Sequence, residues 1–317
     1  MKILGSRLAV WRLSADDAYR SILAAMAGFV LLVVALIVYE AAQGSDLSIR
    51  AFGWGFLTGT EWDPVKEHFG ALPYIYGTLV SSAIALFLAI PLGVGSAVFL
   101  AEIARPRVGA AISFVIELLA AIPSIVYGIW GFFVLAPWLR AGVEPWLIAN
   151  LGFLPLFRGY PFGIGMLNAG IVLAIMVVPT IVSISREILL STPRSLREAA
   201  LALGATPAEA IGIALDAARP GILGAVILAL GRALGETMAV TMVIGNTNRI
   251  SASLLDPSAT MASVIANEFS EATSPLYLSS LVEIALVLFA ITIVVNGAAR
   301  LLVRLTMGER RPAAAAA

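Results

Sequence analysis

The chain alternates between long apolar runs and short polar segments. A helix needs about 20 mostly apolar residues to cross the hydrocarbon core of a bilayer, and six runs reach or approach that length. These runs are Ile22–Tyr39, Tyr74–Ala101, Ala110–Leu139, Phe162–Ile184, Gly221–Ile244 and Leu276–Leu302. The pattern predicts an all-α integral membrane protein with six transmembrane helices, in which residues 1–317 form one transmembrane domain.

The apolar runs differ in their flanks and in their interruptions. Ile22–Tyr39 follows four basic residues and ends at Glu40 rather than at a small-residue cleavage site, so we expect a retained anchor and not a signal peptide. The stretch Trp146–Phe157 is too short to cross and is expected to lie at the interface or to re-enter the membrane. Kinks are predicted at prolines inside three of the runs: Pro91, Pro123 and Pro179.

Composition agrees with a membrane protein. Hydrophobic residues make up 60% of the chain and charged residues 13%, about half the charged share of a soluble domain. The net charge is zero and the chain has no basic run, so membrane lipid is an expected partner and nucleic acid is not. The chain has no cysteine, and its single histidine, His68, has no ligand residues near it in sequence. No metal, cofactor or catalytic residue is therefore expected.

Lysine and arginine residues are distributed unequally between alternate loops. Fourteen of the twenty lie in the N-terminal tail, the Ala104–Val108 turn, the Arg186–Pro220 segment and the C-terminal end, whereas five lie in the intervening loops. Positive residues in short loops stay on the cytoplasmic side of a membrane. The asymmetry predicts that both termini and the Arg186–Pro220 segment are cytoplasmic.

The polar segment between the fourth and fifth runs predicts a helix, a turn and a second helix. Ser195 and Glu198 have the spacing of a capping box, and Gly204 stands where a helix ends in a left-handed residue. Thr206–Glu209 then supplies an N-cap, a proline at the first helical position and a second capping box. Pro220 offers a stop for the second helix. The alternative is a surface loop that packs only on its own bundle.

This segment resembles the EAA loop of ABC-importer permeases through Glu198, Ala199, Ala200 and Gly204. The resemblance implies that residues 193–220 form a coupling loop that docks on a cytoplasmic ATPase. The family pattern continues to Ile-x-Leu-Pro, whereas here Ile213–Asp216 ends in aspartate. The two lysines of the chain, Lys2 and Lys66, do not follow the glycine spacing of a P-loop, so another subunit must hydrolyse any ATP and the chain is not itself an enzyme.

Two charged residues interrupt the fifth apolar run. Arg232 and Glu236 are four residues apart, which places them on one face of a continuous helix. Because a charge is costly inside a bilayer, the pair is expected to face a protein or water-filled interior. One interpretation is a buried pair that only fixes packing. The other is a substrate pathway, with Thr237 beside it, in which Arg232 presents its planar donors to an oxyanion and Glu236 neutralises it when the pathway is empty.

A closer resemblance covers about residues 20–305. Gly231–Asn246, Glu117–Gly131 and Pro161–Gly170 are similar to the PstC family, permease subunits of the bacterial phosphate-specific ABC importer. The resemblance implies the type I ABC importer (MetI-like) fold, location in the bacterial inner membrane and inward passage of inorganic phosphate. It also implies a sister permease PstA, an ATPase dimer PstB and a phosphate-binding protein PstS as partners.

The sequence is also compatible with other functions. The chain could be a permease for another oxyanion or small solute, or a signalling or scaffold subunit that does not conduct. Glu117 and Glu283 also lie inside predicted spans. Each could line a gate or pathway, or could be a carboxyl that is protonated or hydrogen-bonded within the bundle.

Overall fold

The computed structural model describes residues 4–308, with side chains for residues 17–305. Within these residues six helices are long and apolar enough to cross a membrane, which confirms the predicted number. They span Asp17–Gly44, Leu72–Ile103, Ser124–Leu151, Met166–Ser191, Pro207–Leu234 and Pro275–Leu305. Five of the fourteen residues counted in the charge asymmetry have side chains outside the described part: Lys2, Arg7, Arg12, Arg310 and Arg311.

Helices make up most of the described part of the chain, and its strands form one small hairpin. Its helices are α1 (Leu4–Gly44), α2 (Asp46–Phe52), α3 (Gly55–Thr58), α4 (Leu72–Val98), α5 (Pro106–Ala121), α6 (Ser124–Trp130), α7 (Ala136–Trp138), α8 (Glu144–Leu151), α9 (Met166–Ser191), α10 (Arg194–Ala202), α11 (Pro207–Leu234), α12 (Met238–Val243), α13 (Met261–Glu268) and α14 (Pro275–Gly308). The antiparallel hairpin pairs β1 (Trp62–Asp63) with β2 (His68–Phe69). Wider π-helical turns follow α4, α6 and α7, at Phe99–Ile103, Gly131–Leu135 and Leu139–Val143, and a 3₁₀ turn lies at Pro155–Phe157.

The third crossing differs from its prediction. The predicted single helix Ala110–Leu139 is broken at Ile122, where α5 ends in an extended conformation with ψ 129°. Pro123 causes the break because its ring disfavours helical angles in the residue before it. Beyond the proline the chain stays helical through two π-helical turns to Leu151. The first half of the stretch Trp146–Phe157 is therefore the end of this helix and not a separate interfacial piece.

The fifth crossing also departs from its prediction at both ends. α11 runs through Pro220, so the expected stop there is wrong. A proline inside a membrane helix is tolerated where neighbouring groups satisfy the freed carbonyl. At the other end α11 stops at Leu234, and Gly235–Thr237 is not helical before α12 begins. The predicted run Gly221–Ile244 is thus two helices with a break between them.

The core of the bundle is the pair α4 and α9, which have the most extensive helix contact in the described chain. Glycines allow their close approach. A Cβ atom on Gly170 would lie 2.4 Å from Ile84 Cγ2, and one on Gly93 would lie 2.7 Å from Ile181 Cγ2. Small residues at such crossings let two membrane helices pack along their backbones. α4 and α9 therefore form a tightly packed unit, against which α11 also packs.

The two ends of the bundle carry different structures. The hairpin lies at the end where α4 begins, and its Trp62 Nε1 donates to Glu268 Oε2 at 2.7 Å, an oxygen that also accepts from the Tyr277 hydroxyl at 2.6 Å. His68 is exposed on this hairpin. The opposite end, where α4 finishes, carries α10. The ends are therefore suited to different partners.

Candidate transport pathway and coupling surface

Arg232 and Glu236 do not form the ion pair that the sequence predicts. α11 ends at Leu234, so Glu236 lies beyond the helix and the two residues do not share a helix face. Glu236 Oε1 instead accepts from Ala239 N at 3.3 Å, at the start of α12. An acidic side chain at a helix N-terminus is stabilised by the orphan N–H groups there. The i, i+4 interpretation is wrong because it assumed an unbroken helix.

Arg232 is left without a partner in the described part of the chain. Its side chain is exposed on the surface of the single subunit and makes no ion pair or hydrogen bond with residues 17–305. Thr237, in the break, donates to Gly235 O at 3.3 Å, and its own carbonyl accepts from Thr241 Oγ1 at 2.7 Å. A guanidinium at this depth needs an anion, water or a second subunit, because lipid cannot solvate it.

The helix that follows the break, α12, packs against the other stretches that carry the family resemblance. Gly128 of α6 lies against α12, where a Cβ atom would be 3.0 Å from Ala239 Cα. A Cβ atom on Gly131 would lie 2.9 Å from Val243 Cγ1 and 3.8 Å from Asn168 Oδ1. The Asn168 amide in turn donates to Gly163 O at 2.8 Å. Residues from Glu117–Gly131, Pro161–Gly170 and Gly231–Asn246 therefore meet in one place, although they are far apart in sequence.

The other carboxyls inside the spans occupy different environments. Glu117 is exposed on α5 and lines a small cavity with Arg186 and Ser113. Glu283 is 6% exposed on α14, and its Oε2 atom is buried without a hydrogen-bond partner in the described part of the chain. Glu283 is thus a carboxyl buried within the bundle, away from the break beside Arg232.

The helix, turn and helix of the coupling segment are present, with one correction. α10 begins at Arg194 directly after Pro193, so Ser195 already lies inside the helix and its side chain caps nothing. The turn follows its prediction, since Gly204 has φ +91° in the left-handed region. The second capping box also forms, with Glu209 N donating to Thr206 Oγ1 at 3.4 Å and Thr206 N donating to Glu209 Oε2 at 2.7 Å.

The surface of this segment exposes several apolar side chains. Glu198 and Ala199 are exposed, whereas Ala200 is buried against the bundle. Leu203, next to Gly204, is 91% exposed, and two further leucines of α10 are exposed: Leu196 and Leu201. Apolar side chains grouped on a surface mark a site of protein contact.

Sequence reasoning missed a buried ion pair beneath this surface. Arg197 Nε donates to Glu102 Oε2 at 2.9 Å, and a second bond joins Arg197 Nη2 to Glu102 Oε1. The two residues are 95 positions apart. The one available signal was a carboxylate at the end of the second apolar run and an arginine in the polar segment between the fourth and fifth runs, and nothing in the sequence pairs them.

Comparison with known proteins assigns the chain to a family. Residues 89–307 match the family of binding-protein-dependent transport system inner membrane components. The phosphate transport system permease protein PstC of Mesorhizobium japonicum is 46% identical over 290 residues, covering 90% of this chain and 89% of the relative. PstC of Haemophilus influenzae is 45% identical, covering 91% and 93%. The chain belongs to the PstC family.

The similarity of this chain to the PstC family extends to more distant proteins. A probable PstC of Methanocaldococcus jannaschii is 40% identical and covers 78% of the chain and 81% of the relative. In the solved structures, an inward-facing form of the MetNI methionine ABC transporter contains a chain with TM-score 0.53 and 18% identity, covering 73% of this chain and 93% of that chain. This likeness confirms the MetI-like fold. This PstC-family chain is thus a multi-pass permease component of a transport system in the inner membrane.

Proposed function

We propose that the chain forms part of the path by which inorganic phosphate enters the cytoplasm in an ATP-driven importer. The observation that carries the proposal is the unpaired guanidinium of Arg232, which lies three residues before the break, in the stretch that packs through α12 on the other two stretches typical of the PstC family. The names of the relatives, phosphate transport system permease proteins, supply the substrate. The proposed pathway residues are Arg232, Glu236 and Thr237.

The chemistry of the break suits phosphate. The Arg232 guanidinium offers a planar set of donors that fits two oxygens of a tetrahedral anion. Glu236 is half-buried in the same break, and a carboxylate can accept a hydrogen bond from a protonated phosphate oxygen. Fully ionised sulfate has no such proton. The pair therefore favours phosphate over sulfate, without the two side chains bonding to each other.

The proposed partners occupy different faces. A PstB-type ATPase dimer would bind the turn of the coupling segment, through the exposed residues Glu198, Ala199, Leu203 and Gly204, while Ala200 holds α10 against the bundle. A PstA-type sister permease would cover the face that exposes Arg232, and a PstS-type binding protein would meet the hairpin end. The chain has no P-loop lysine, so the ATPase supplies all hydrolysis.

The proposal is tested by uptake of radiolabelled phosphate into proteoliposomes that contain this chain, its sister permease and the ATPase, with the binding protein outside and ATP inside. We expect uptake that requires ATP and the binding protein and that excess unlabelled sulfate leaves unchanged. Competition by sulfate would favour the alternative of a general oxyanion permease. A complex that assembles and hydrolyses ATP without moving phosphate would favour a signalling or scaffold subunit.

The proposed topology places α10 and both termini in the cytoplasm and the hairpin outside. Because the chain has no cysteine, single cysteines report their own accessibility. In intact cells a membrane-impermeant maleimide should label the His68→Cys variant and should label Arg107→Cys only after the membrane is opened. Both residues are exposed. The reverse pattern would overturn the orientation and, with it, ATPase docking on α10.

A further inference from the structure

One side chain makes all the side-chain hydrogen bonds that attach α10 to the rest of the described chain. Ala200 is the one buried residue of this helix, so apolar packing holds it weakly. Arg197, 18% exposed, makes every side-chain hydrogen bond that runs from α10 to other described residues. The covalent links at its two ends are short turns, one of which contains Gly204.

Arg197 binds two helices at once. Nη1 donates to Thr192 O at 3.0 Å and Nη2 donates to Leu189 O at 2.9 Å, at the C-terminal end of α9. These bonds add donors to carbonyls at a helix end, where no N–H four residues further on is available, and the positive charge opposes the negative end of the helix dipole. The same guanidinium binds both carboxylate oxygens of Glu102. The Arg197 guanidinium therefore links α10 both to the end of α9 and to Glu102.

Glu102 belongs to the inner end of the second crossing. It lies in the π-helical turn Phe99–Ile103, where Ala104 N donates to Phe99 O at 2.8 Å. The carboxylate is 8% exposed. Within residues 17–305 no other hydrogen bond joins α10 to this crossing. Since α4 and α9 pack as one unit, a force on α10 reaches both through Arg197.

We propose that Arg197 is a positioning residue that couples movement of α10 to the α4 and α9 unit, through Glu102 and the α9 carbonyls. The inference rests on the proposed function, because the ATPase supplies the force on α10. Arg197 itself touches neither phosphate nor nucleotide. With Arg197 removed, the docking surface around Leu203 remains, but α10 moves without carrying the transmembrane helices with it.

The test compares Arg197→Ala with Arg194→Ala in the reconstituted four-component importer. Arg194 is the matched control, because it lies on the same helix and lines the same cavity as Arg197 but makes no hydrogen bond or ion pair with residues 17–305. We expect Arg197→Ala to retain the ATPase on purification and to keep basal ATP hydrolysis. The stimulation of hydrolysis by phosphate-loaded binding protein, and phosphate uptake with it, should fall about tenfold. Arg194→Ala should match the unmodified complex in both measurements.

Two further variants separate coupling from folding. Glu102→Gln keeps an acceptor for Arg197 but removes the charge, so an intermediate loss of stimulation is expected. Glu102→Arg combined with Arg197→Glu restores an ion pair between α10 and the second crossing, and should recover part of the stimulation that each single reversal removes. Loss of the ATPase from the Arg197→Ala complex would overturn the proposal, as would stimulation equal to that of the control. A failure of the proposed function is distinct, since the unmodified complex would then take up no phosphate.

Discussion

Replacing Arg232 with glutamine is expected to lower phosphate uptake about a hundredfold, because one charged multi-donor contact to the anion is lost. The folded subunit should be unaffected. The Arg232 side chain makes no hydrogen bond or ion pair within the described chain, so its replacement leaves no buried charge unpaired. The measurement is radiolabelled phosphate uptake in cells that lack other phosphate carriers, normalised to the amount of assembled complex.

The controls for Arg232 separate charge, shape and pairing. Arg219→Gln removes the same charge from an exposed position of the same helix and should transport normally. Arg232→Lys should also be impaired, because a point charge does not reproduce the planar fork. The double variant Arg232→Gln with Glu236→Gln should assemble but not transport. Wild-type uptake by the double variant would instead make Arg232 a structural residue.

Replacing Gly204 with aspartate is expected to release the ATPase while the permease still inserts and pairs with its sister subunit. Gly204 has φ +91°, a left-handed conformation that costs most side chains about 1–2 kcal/mol and aspartate less, and the new charge faces the proposed docking surface. Association should weaken about tenfold or more. The measurement is the amount of ATPase that co-purifies with the permease pair. Glu198→Lys, which reverses an exposed charge on the same surface, should act in the same direction.

A pair of alanine variants isolates the conformational part of this effect. A Cβ atom on either Gly204 or Gly212 would meet no other atom within 4 Å, but Gly212 lies inside α11. Gly204→Ala should therefore weaken ATPase binding, whereas Gly212→Ala should leave it intact and favour the helix. Equal retention of the ATPase by the two variants would show that the left-handed turn is not what the ATPase recognises.

The sequence predicts the membrane crossings far better than it predicts where a crossing is interrupted. Apolar runs show which parts of the chain can lie in lipid, and they predict all six membrane-spanning helices. Hydropathy does not reveal the break, because Gly235–Thr237 lies between two apolar segments. The pairing of Arg232 with Glu236 was inferred from spacing that holds only in a continuous helix, and the break removes that premise.

Local chemistry predicts turns well and distant contacts poorly. Gly204 and the Thr206 capping box follow from backbone preferences of a few adjacent residues, and both form. Ser195 fails as a cap because Pro193 allows the helix to start at the next residue. The bond between Arg197 and Glu102 depends on how α4 and α9 bring their ends together, which no local pattern encodes. The pairing of Arg197 with Glu102 therefore follows only from the three-dimensional structure.

The break between α11 and α12 has a consequence for the membrane itself. The last carbonyls of α11 and the first N–H groups of α12 lack partners within their own helices. Each such group costs several kcal/mol in hydrocarbon, so lipid cannot cover Gly235–Thr237. Either protein or water must therefore cover the break at this depth. Where water covers it, an ion crosses a shorter dry distance than the length of the helices suggests.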